Sequence, residues 1–358
     1  MAATYGVSPI PEFLGTAGLR YAADGVPLPE VSRAEREIRD WSEWWGHWTG
    51  RARALDALAE EAETQASRYE LGVTASLCAH LAQYLHFEAP DAKHDALRLK
   101  IETYRKALSS ARHPTDSIEV PYRDDSVPAI LHLPDDGEAA LPCVIYVGGL
   151  DAHKEDAHQF IELCLDRGLA VAALDGPGQG EAMLRDIMFE EDAHEAVSSL
   201  IDLLVERERV DESRIGVIGR SLGGYLAPRA AATDDRIRAL VVWAAMWDLT
   251  VLPDFPEHTR AGFVYITGSQ DLNQAMERLR FVDLTDHAPR VSAATLIVHG
   301  EKDALTPVEH AREMADAIED VDLWILEGSE HCNHDVAHIA RPAMADWLAT
   351  RLGSSPSR

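Results

Sequence analysis

Gly219-Arg220-Ser221-Leu222-Gly223-Gly224 is the run whose residue types and spacing point most sharply to chemistry. It fits G-x-S-x-G and lies directly after a strand pattern (215–218) and directly before a helix pattern (222–232). In that context the serine sits on a tight strand-to-helix turn with its hydroxyl clear of the sheet. The glycines on either side permit close backbone packing, and the helix start behind favours developing negative charge. A serine hydroxyl is a poor nucleophile until a base takes its proton. Two segments downstream supply partners. After an apolar run ending at Val298 comes His299-Gly300-Glu301-Lys302-Asp303, where Asp303 or Glu301 could reach an imidazole from the strand's C-terminal end. After a run over 323–326 comes Glu330-His331-Cys332-Asn333-His334, in which His331 is the expected base and His334 the competitor. The order nucleophile, acid, histidine is one in which such a constellation occurs.

Attack on a carbonyl also requires backbone N–H groups aimed at the developing oxyanion. One is expected from Leu222, the residue after the serine. The second is expected from the turn Gly148-Gly149-Leu150-Asp151 that follows an apolar run at 144–147, with Gly149 preferred and Leu150 next. Asp151, Trp247 and Asp248 also follow strand ends, where ligands gather, and are expected to line a substrate pocket. His331, His334, Asp335 and His338 stand at helical spacing, yet H-E-x-x-H is absent, and no metal is expected. Asp175-Gly176-Pro177-Gly178-Gln179-Gly180-Glu181 is glycine-rich but lacks the Lys-Ser/Thr ending of a phosphate-binding loop.

The elements that must position these residues alternate. From about residue 114 onward, short apolar runs without alternation are each followed by an amphipathic helix pattern, which indicates an α/β fold with a mostly parallel sheet buried on both faces. Two short strands at 118–122 and 127–133 precede that alternation. Residues 246–291 have weak periodicity and are long for a plain connection, so they read as a lid insertion. Ahead of the α/β part, residues 31–112 read as about four helices. Ser32 and Glu35 match a capping box that would start the first. Trp41, Trp44, Trp45 and Trp48 share a helix face, read as core in preference to a stacking platform, and Gly50 would end or bend that helix. Residues 1–30 look irregular, and 353–358 form a polar tail. The domains expected are a helical one over 1–115 and an α/β one over 116–358.

With 61 acidic against 33 basic residues, the net charge is −28. Such a field repels nucleic acid and anionic membrane surfaces, so neither is an expected partner. No basic start followed by an apolar run marks a signal peptide, and no apolar stretch of roughly 18 residues exists. The four scattered cysteines read as reduced thiols in a cytoplasm.

The runs GGLD (148–151), LDGPGQGE (174–181), GRSLGG (219–224), HGEKD (299–303) and EHCNH (330–334) resemble a group of α/β-hydrolases. The group includes 2,6-dihydroxypseudooxynicotine hydrolases, fungal polyketide-shortening enzymes and fermentation-respiration switch-like proteins. The resemblance extends over most of the chain. It implies an α/β-hydrolase fold with an N-terminal helical cap packed over the active site, and it selects Asp303 over Glu301 as the acid. It implies cleavage of a carbon–carbon bond next to a ketone in an aromatic or polyketide-like small molecule, without metal or organic cofactor, and a homodimer. Ester or thioester hydrolysis and acyl transfer are the alternatives. A protein-binding regulator on a hydrolase scaffold is a further one, disfavoured because a binding scaffold has no need of the complete triad.

Overall fold

The computed structural model describes residues 9–354 except 85, 88, 135 and 136. The irregular start and the polar tail expected from the sequence therefore lie outside the described residues at 1–8 and 355–358. The chain divides into two compact units. One holds the described residues up to Arg112 together with Pro256–Tyr265, and the other holds His113–Phe255 and Ile266–Arg358. The boundary thus falls a few residues before the expected one, and the 246–291 insertion is shared between the units.

The helical unit contains α1 (Ile10–Ala23), α2 (Leu28–Glu37), α3 (Trp44–Glu61), α4 (Gln65–Gln83) and α5 (Pro90–Leu108). Its core is aromatic. Trp44 and Trp48 are fully buried and Trp41 nearly so. Phe13 meets Trp41 and Trp44 edge-on. The Trp44 indole N–H donates to the Leu81 carbonyl at 2.7 Å, so the ring's one polar atom is satisfied where it is buried. Of the tryptophan stripe, Trp41, Trp44 and Trp48 are core, while Trp45 is half-buried with its indole N–H on the Ala92 carbonyl at 2.9 Å. Helix α6 (Glu257–Ile266) supplies Tyr265, whose hydroxyl bonds His94 Nε2 at 2.8 Å.

Three local expectations differ from the structure. Residues 10–23, read as irregular, form a helix. Helix α2 begins at Leu28 behind Pro27 and Pro29 occupies its first turn, so Ser32 lies inside it and caps nothing. Proline's fixed φ and missing N–H suit a first turn, and that signal outweighs the capping-box pattern. Gly50 lies within α3, which runs on to Glu61. A glycine costs a helix about 1 kcal/mol relative to alanine, less than the packing of Trp44, Trp48 and Ala52 on the buried side supplies.

The second unit is built on eight strands: β1 (Thr115–Tyr122), β2 (Asp125–His132), β3 (Leu141–Val147), β4 (Ala170–Leu174), β5 (Val210–Arg220), β6 (Ile237–Trp243), β7 (Ala294–Gly300) and β8 (Val321–Leu326). Their order is β1-β2-β4-β3-β5-β6-β7-β8. Strand β2 runs antiparallel to both its neighbours, β1 and β4, and the remaining neighbouring pairs are parallel. Six helices accompany them: α7 (His158–Leu165), α8 (Glu195–Val205), α9 (Gly223–Ala231), α10 (Leu272–Arg278), α11 (Val308–Ala317) and α12 (Ala337–Arg351), numbered after the α6 segment already placed. Val144, Tyr146, Ile218, Val241 and Val298 pack against Phe160 and Ile161 of α7 and Met344 and Leu348 of α12. The residues between them, Ile145, Val217, Val242 and Ile297, point to the opposite face and are equally buried. A sheet covered on both sides explains the unbroken apolar runs in the sequence.

All four cysteines are free and buried. No helix among the described residues is long and apolar enough to cross a membrane.

Because Trp44 is fully buried and hydrogen-bonded, Trp44→Ala is expected to destabilise the helical unit by about 3–5 kcal/mol. Urea denaturation followed by far-UV circular dichroism measures this; a loss under about 1 kcal/mol would show that the aromatic cluster is not its core.

Candidate active site

Strand β5 ends at Arg220 and α9 begins at Gly223, leaving Ser221 at the corner with φ 57°. A non-glycine residue enters this left-handed region only where its surroundings hold it there. Here the Ser221 N–H donates to the Trp243 carbonyl of β6 at 2.8 Å. Two glycines make the corner possible. A Cβ on Gly219 would lie 1.9 Å from the Gly223 carbonyl oxygen, and one on Gly223 would lie 2.3 Å from that of Val147. No side chain fits at either position, so the helix can press back against β5 and β3.

The structure brings Asp303 and His331 to this serine. His331 Nδ1 donates to Asp303 Oδ2 at 2.6 Å, and the Ser221 hydroxyl donates to His331 Nε2 at 2.9 Å. Asp303 is buried in the turn after β7. Its Oδ1 accepts the Leu305 and Thr306 N–H groups, and its Oδ2 also accepts the Thr306 hydroxyl. Burial would raise its pKa, but His331 and these donors hold it down to about 2. Burial likewise works against the imidazolium of His331. The adjoining Cys332 thiol and the Asp303 carboxylate work for it, and the pKa of His331 is raised above the ordinary 6.5. Both ring nitrogens of His331 are engaged in hydrogen bonds. Glu301 is exposed and accepts the Gly328 N–H, away from the imidazole.

The turn carrying His331 is itself constrained. Cys332 and Asn333, the next two residues, both have positive φ (57° and 52°). Asn333 is fully buried, donates to the Ser329 hydroxyl and accepts the indole N–H of Trp243. The guanidiniums of Arg220 and Arg341 both lie over the Trp243 ring, 5.0 and 5.4 Å from its centroid. His334 is turned to other partners. Its Nδ1 donates to the His331 carbonyl and its Nε2 accepts from Arg220, tying the turn to the residue before Ser221. Gly300 admits this turn, since a Cβ there would lie 2.4 Å from the Glu330 carbonyl oxygen.

On the other side of Ser221 stands Gly149, where an added Cβ would be 3.1 Å from Ser221 Cβ. Among the described residues, neither the Gly149 N–H nor the Leu222 N–H is spent on a protein acceptor. The three expected pocket residues are dispersed. Asp151 is half-buried beyond Gly149. Trp247 is half-buried, with its N–H on His310 Nδ1. Asp248 accepts from Thr250 and lines a separate cavity of about 450 Å³ with Leu252, Met276 and Leu279, which includes none of Ser221, Asp303 or His331. Sequence reasoning missed a buried charge cluster. Lys154 Nζ lies 2.8 Å from Asp175 Oδ2 and 3.0 Å from Glu181 Oε2, and joins the segments that follow β3 and β4. The only signal for it was the position of Asp175 at a strand end.

The sheet order, the strained serine corner and the loops at the strand ends define an α/β-hydrolase. Residues 38–266 match the family model described as Esterase FrsA-like. Over 354 residues the chain is 31% identical to 2,6-dihydropseudooxynicotine hydrolase of Paenarthrobacter nicotinovorans, covering 97% of this chain and 94% of that one. The crystal structure of the 2,6-dihydroxy-pseudo-oxynicotine hydrolase aligns with a TM-score of 0.88 at 29% identity, over 95% of this chain and 98% of that one. A 20-hydroxy-prefusarin hydrolase of Gibberella moniliformis is 29% identical over 248 residues, 64% of this chain and 57% of its own length. This chain therefore belongs to the FrsA-like esterase family, and it is a hydrolase enzyme.

The carboxylate beside His331 favours its protonated form. Its imidazole is expected to titrate above pH 6.5, and Asp303→Asn to bring that titration down. Proton NMR of the ring signals follows both; a wild-type midpoint at or below 6.5 that the substitution does not move would contradict the electrostatics described here.

Proposed function

We propose that this enzyme is a serine hydrolase that cleaves a carbon–carbon bond next to a ketone in an aromatic or polyketide-like small molecule. The observation that carries the reading is the continuous chain of hydrogen bonds from Asp303 through His331 to Ser221. In it Ser221 is the nucleophile, His331 the general base and Asp303 the group that fixes the tautomer and orientation of the imidazole. The Ser221 oxygen bonds to the ketone carbon while its proton passes to His331. The carbonyl electron pair becomes an oxyanion that accepts from the N–H groups of Gly149 and Leu222. As the carbonyl re-forms, the carbon–carbon bond breaks. Its electron pair leaves as a carbanion stabilised by a neighbouring carbonyl or ring, and takes the proton from His331. Water, deprotonated by the same imidazole, then releases the acid from Ser221.

The choice of bond is supported by the nearly full-length similarity to a 2,6-dihydropseudooxynicotine hydrolase. Of the expected pocket residues, Asp151 and Trp247 are retained as substrate neighbours, because they follow β3 and β6 at the edge that carries Ser221. Ester hydrolysis is the second reading, favoured by the description of the matching family. Attack, oxyanion and acyl-enzyme are common to both; only the leaving group differs.

An aryl 1,3-diketone and an aryl ester, each tested with Ser221→Ala as the blank, separate the readings. Diketone cleavage is expected, and its rate should fall by at least ~10³-fold in the variant. Turnover of the ester alone would replace the first reading with the second, and diketone turnover undiminished in Ser221→Ala would remove the serine from the mechanism.

A further inference from the structure

The run Gly176-Pro177-Gly178-Gln179-Gly180-Glu181 has no part in the chemistry above, yet it places one fully buried side-chain amide against the turn that carries Gly149. The Gly176 N–H donates to Gln179 Oε1 at 3.1 Å, which fixes which end of the amide is oxygen. The other end, Nε2, then points both its hydrogens at consecutive carbonyls, those of Gly148 (2.6 Å) and Gly149 (3.0 Å). Gln179 is 1% exposed, so no water competes for these bonds.

The consequence follows from peptide geometry. In a trans peptide the C=O and the N–H of the next residue point in opposite directions. Holding the Gly148 and Gly149 carbonyls on one side therefore turns the N–H groups of Gly149 and Leu150 to the other. Gly149 packs directly on Ser221, with an added Cβ 3.5 Å from its hydroxyl oxygen. Were either peptide to rotate, a carbonyl would face the developing negative charge in place of a donor. Glycine at 148 and 149 makes such rotation easy in the chain itself, so the orientation must be imposed from outside.

We infer that Gln179 is the positioning residue of the oxyanion site: by capturing the Gly148 and Gly149 carbonyls it keeps the following N–H groups presented to the substrate oxygen bound at Ser221. The inference rests on the proposed role of Ser221 as nucleophile.

The rate of labelling by a fluorophosphonate tests it on the full chain. Ser221 Oγ forms the O–P bond, fluoride leaves, the proton passes to His331, and the phosphoryl oxygen occupies the oxyanion site. Gln179→Glu keeps the acceptor for Gly176 but loses both donors, and Gln179→Met keeps the volume with neither. Both are expected to label about 10²-fold more slowly or worse per folded molecule. In aryl ester hydrolysis kcat should fall in parallel, with KM within about threefold. A merely structural role would instead reduce the folded fraction, seen by circular dichroism, and leave the rate per folded molecule unchanged; that result overturns the inference. So does labelling of both variants within about threefold of wild type while Ser221→Ala remains unlabelled. Should Ser221→Ala label as wild type does, the nucleophile assignment itself has failed.

Discussion

Holding Ser221 at φ 57° costs on the order of 1–3 kcal/mol, and the surrounding architecture is arranged so that the chain cannot relax. Helix α9 leaves in a direction that only Gly219 and Gly223 permit, and the Ser221 N–H is bonded to the neighbouring strand. The parallel register then distributes the remaining groups. Val147 pairs with Gly219, Gly219 with Val242, and Trp243 with Val298. All these strands run the same way, so their C-terminal ends come out at one edge. The turn with Gly149, the loop with Gln179, the serine corner, Asp303 and His331 leave that edge in turn. Their proximity follows from strand order, although up to 110 residues separate the hydrogen-bonded pair in sequence.

His299, His310 and His331 all stand near this edge, and their surroundings differ. His299 is fully buried. Its Nδ1 accepts the Ala245 N–H and its Nε2 donates to the Thr306 carbonyl, so it serves as a neutral strut for the loop after β6. His310 accepts the Trp247 N–H of the same loop. Burial lowers the pKa of both. His331 differs because its Nδ1 donates to Asp303 Oδ2 at 2.6 Å, whereas His299 Nε2 lies 3.7 Å from that oxygen and gives its proton to the Thr306 carbonyl. The same ring is held neutral where a peptide N–H donates to one of its nitrogens, and is drawn toward the imidazolium where a carboxylate accepts from it directly.

Much of this was legible in the sequence. A parallel sheet buried on both faces writes unbroken apolar runs, and each run marks the strand end after which a chemical residue is to be sought. That rule points to Ser221, Asp303 and His331, with the family resemblance deciding between Asp303 and Glu301, and the structure joins the three by hydrogen bonds. What was not legible depends on side chains meeting across loops. Nothing in the spacing of Gln179 reveals that it reaches the turn at Gly148, because that contact exists only once β3 and β4 are paired. Asn333 and Trp243 are 90 residues apart and hidden for the same reason. The side-chain direction of Asp248 was equally hidden: it follows a strand end, and the local turn with Thr250 places it at a cavity that does not include Ser221. In the helical unit the errors were local, where the proline at the start of α2 and the tryptophan packing of α3 outweighed the signals of Ser32 and Gly50.

The helical unit is discontinuous in the chain. Five of its helices precede β1, but Tyr265, which bonds His94 and lies tilted against the Phe87 ring at 5.6 Å, arrives from between β6 and β7. During synthesis the N-terminal helices therefore leave the ribosome long before the segment that completes their packing. They must wait while six strands of the sheet are made. At roughly 5–20 residues per second, that wait is on the order of ten seconds or more. For that interval the nascent helices expose apolar surface destined for burial, and a stalled or truncated chain would keep it exposed. Order of manufacture, and not only the finished packing, is thus a hazard that this arrangement of the sequence imposes.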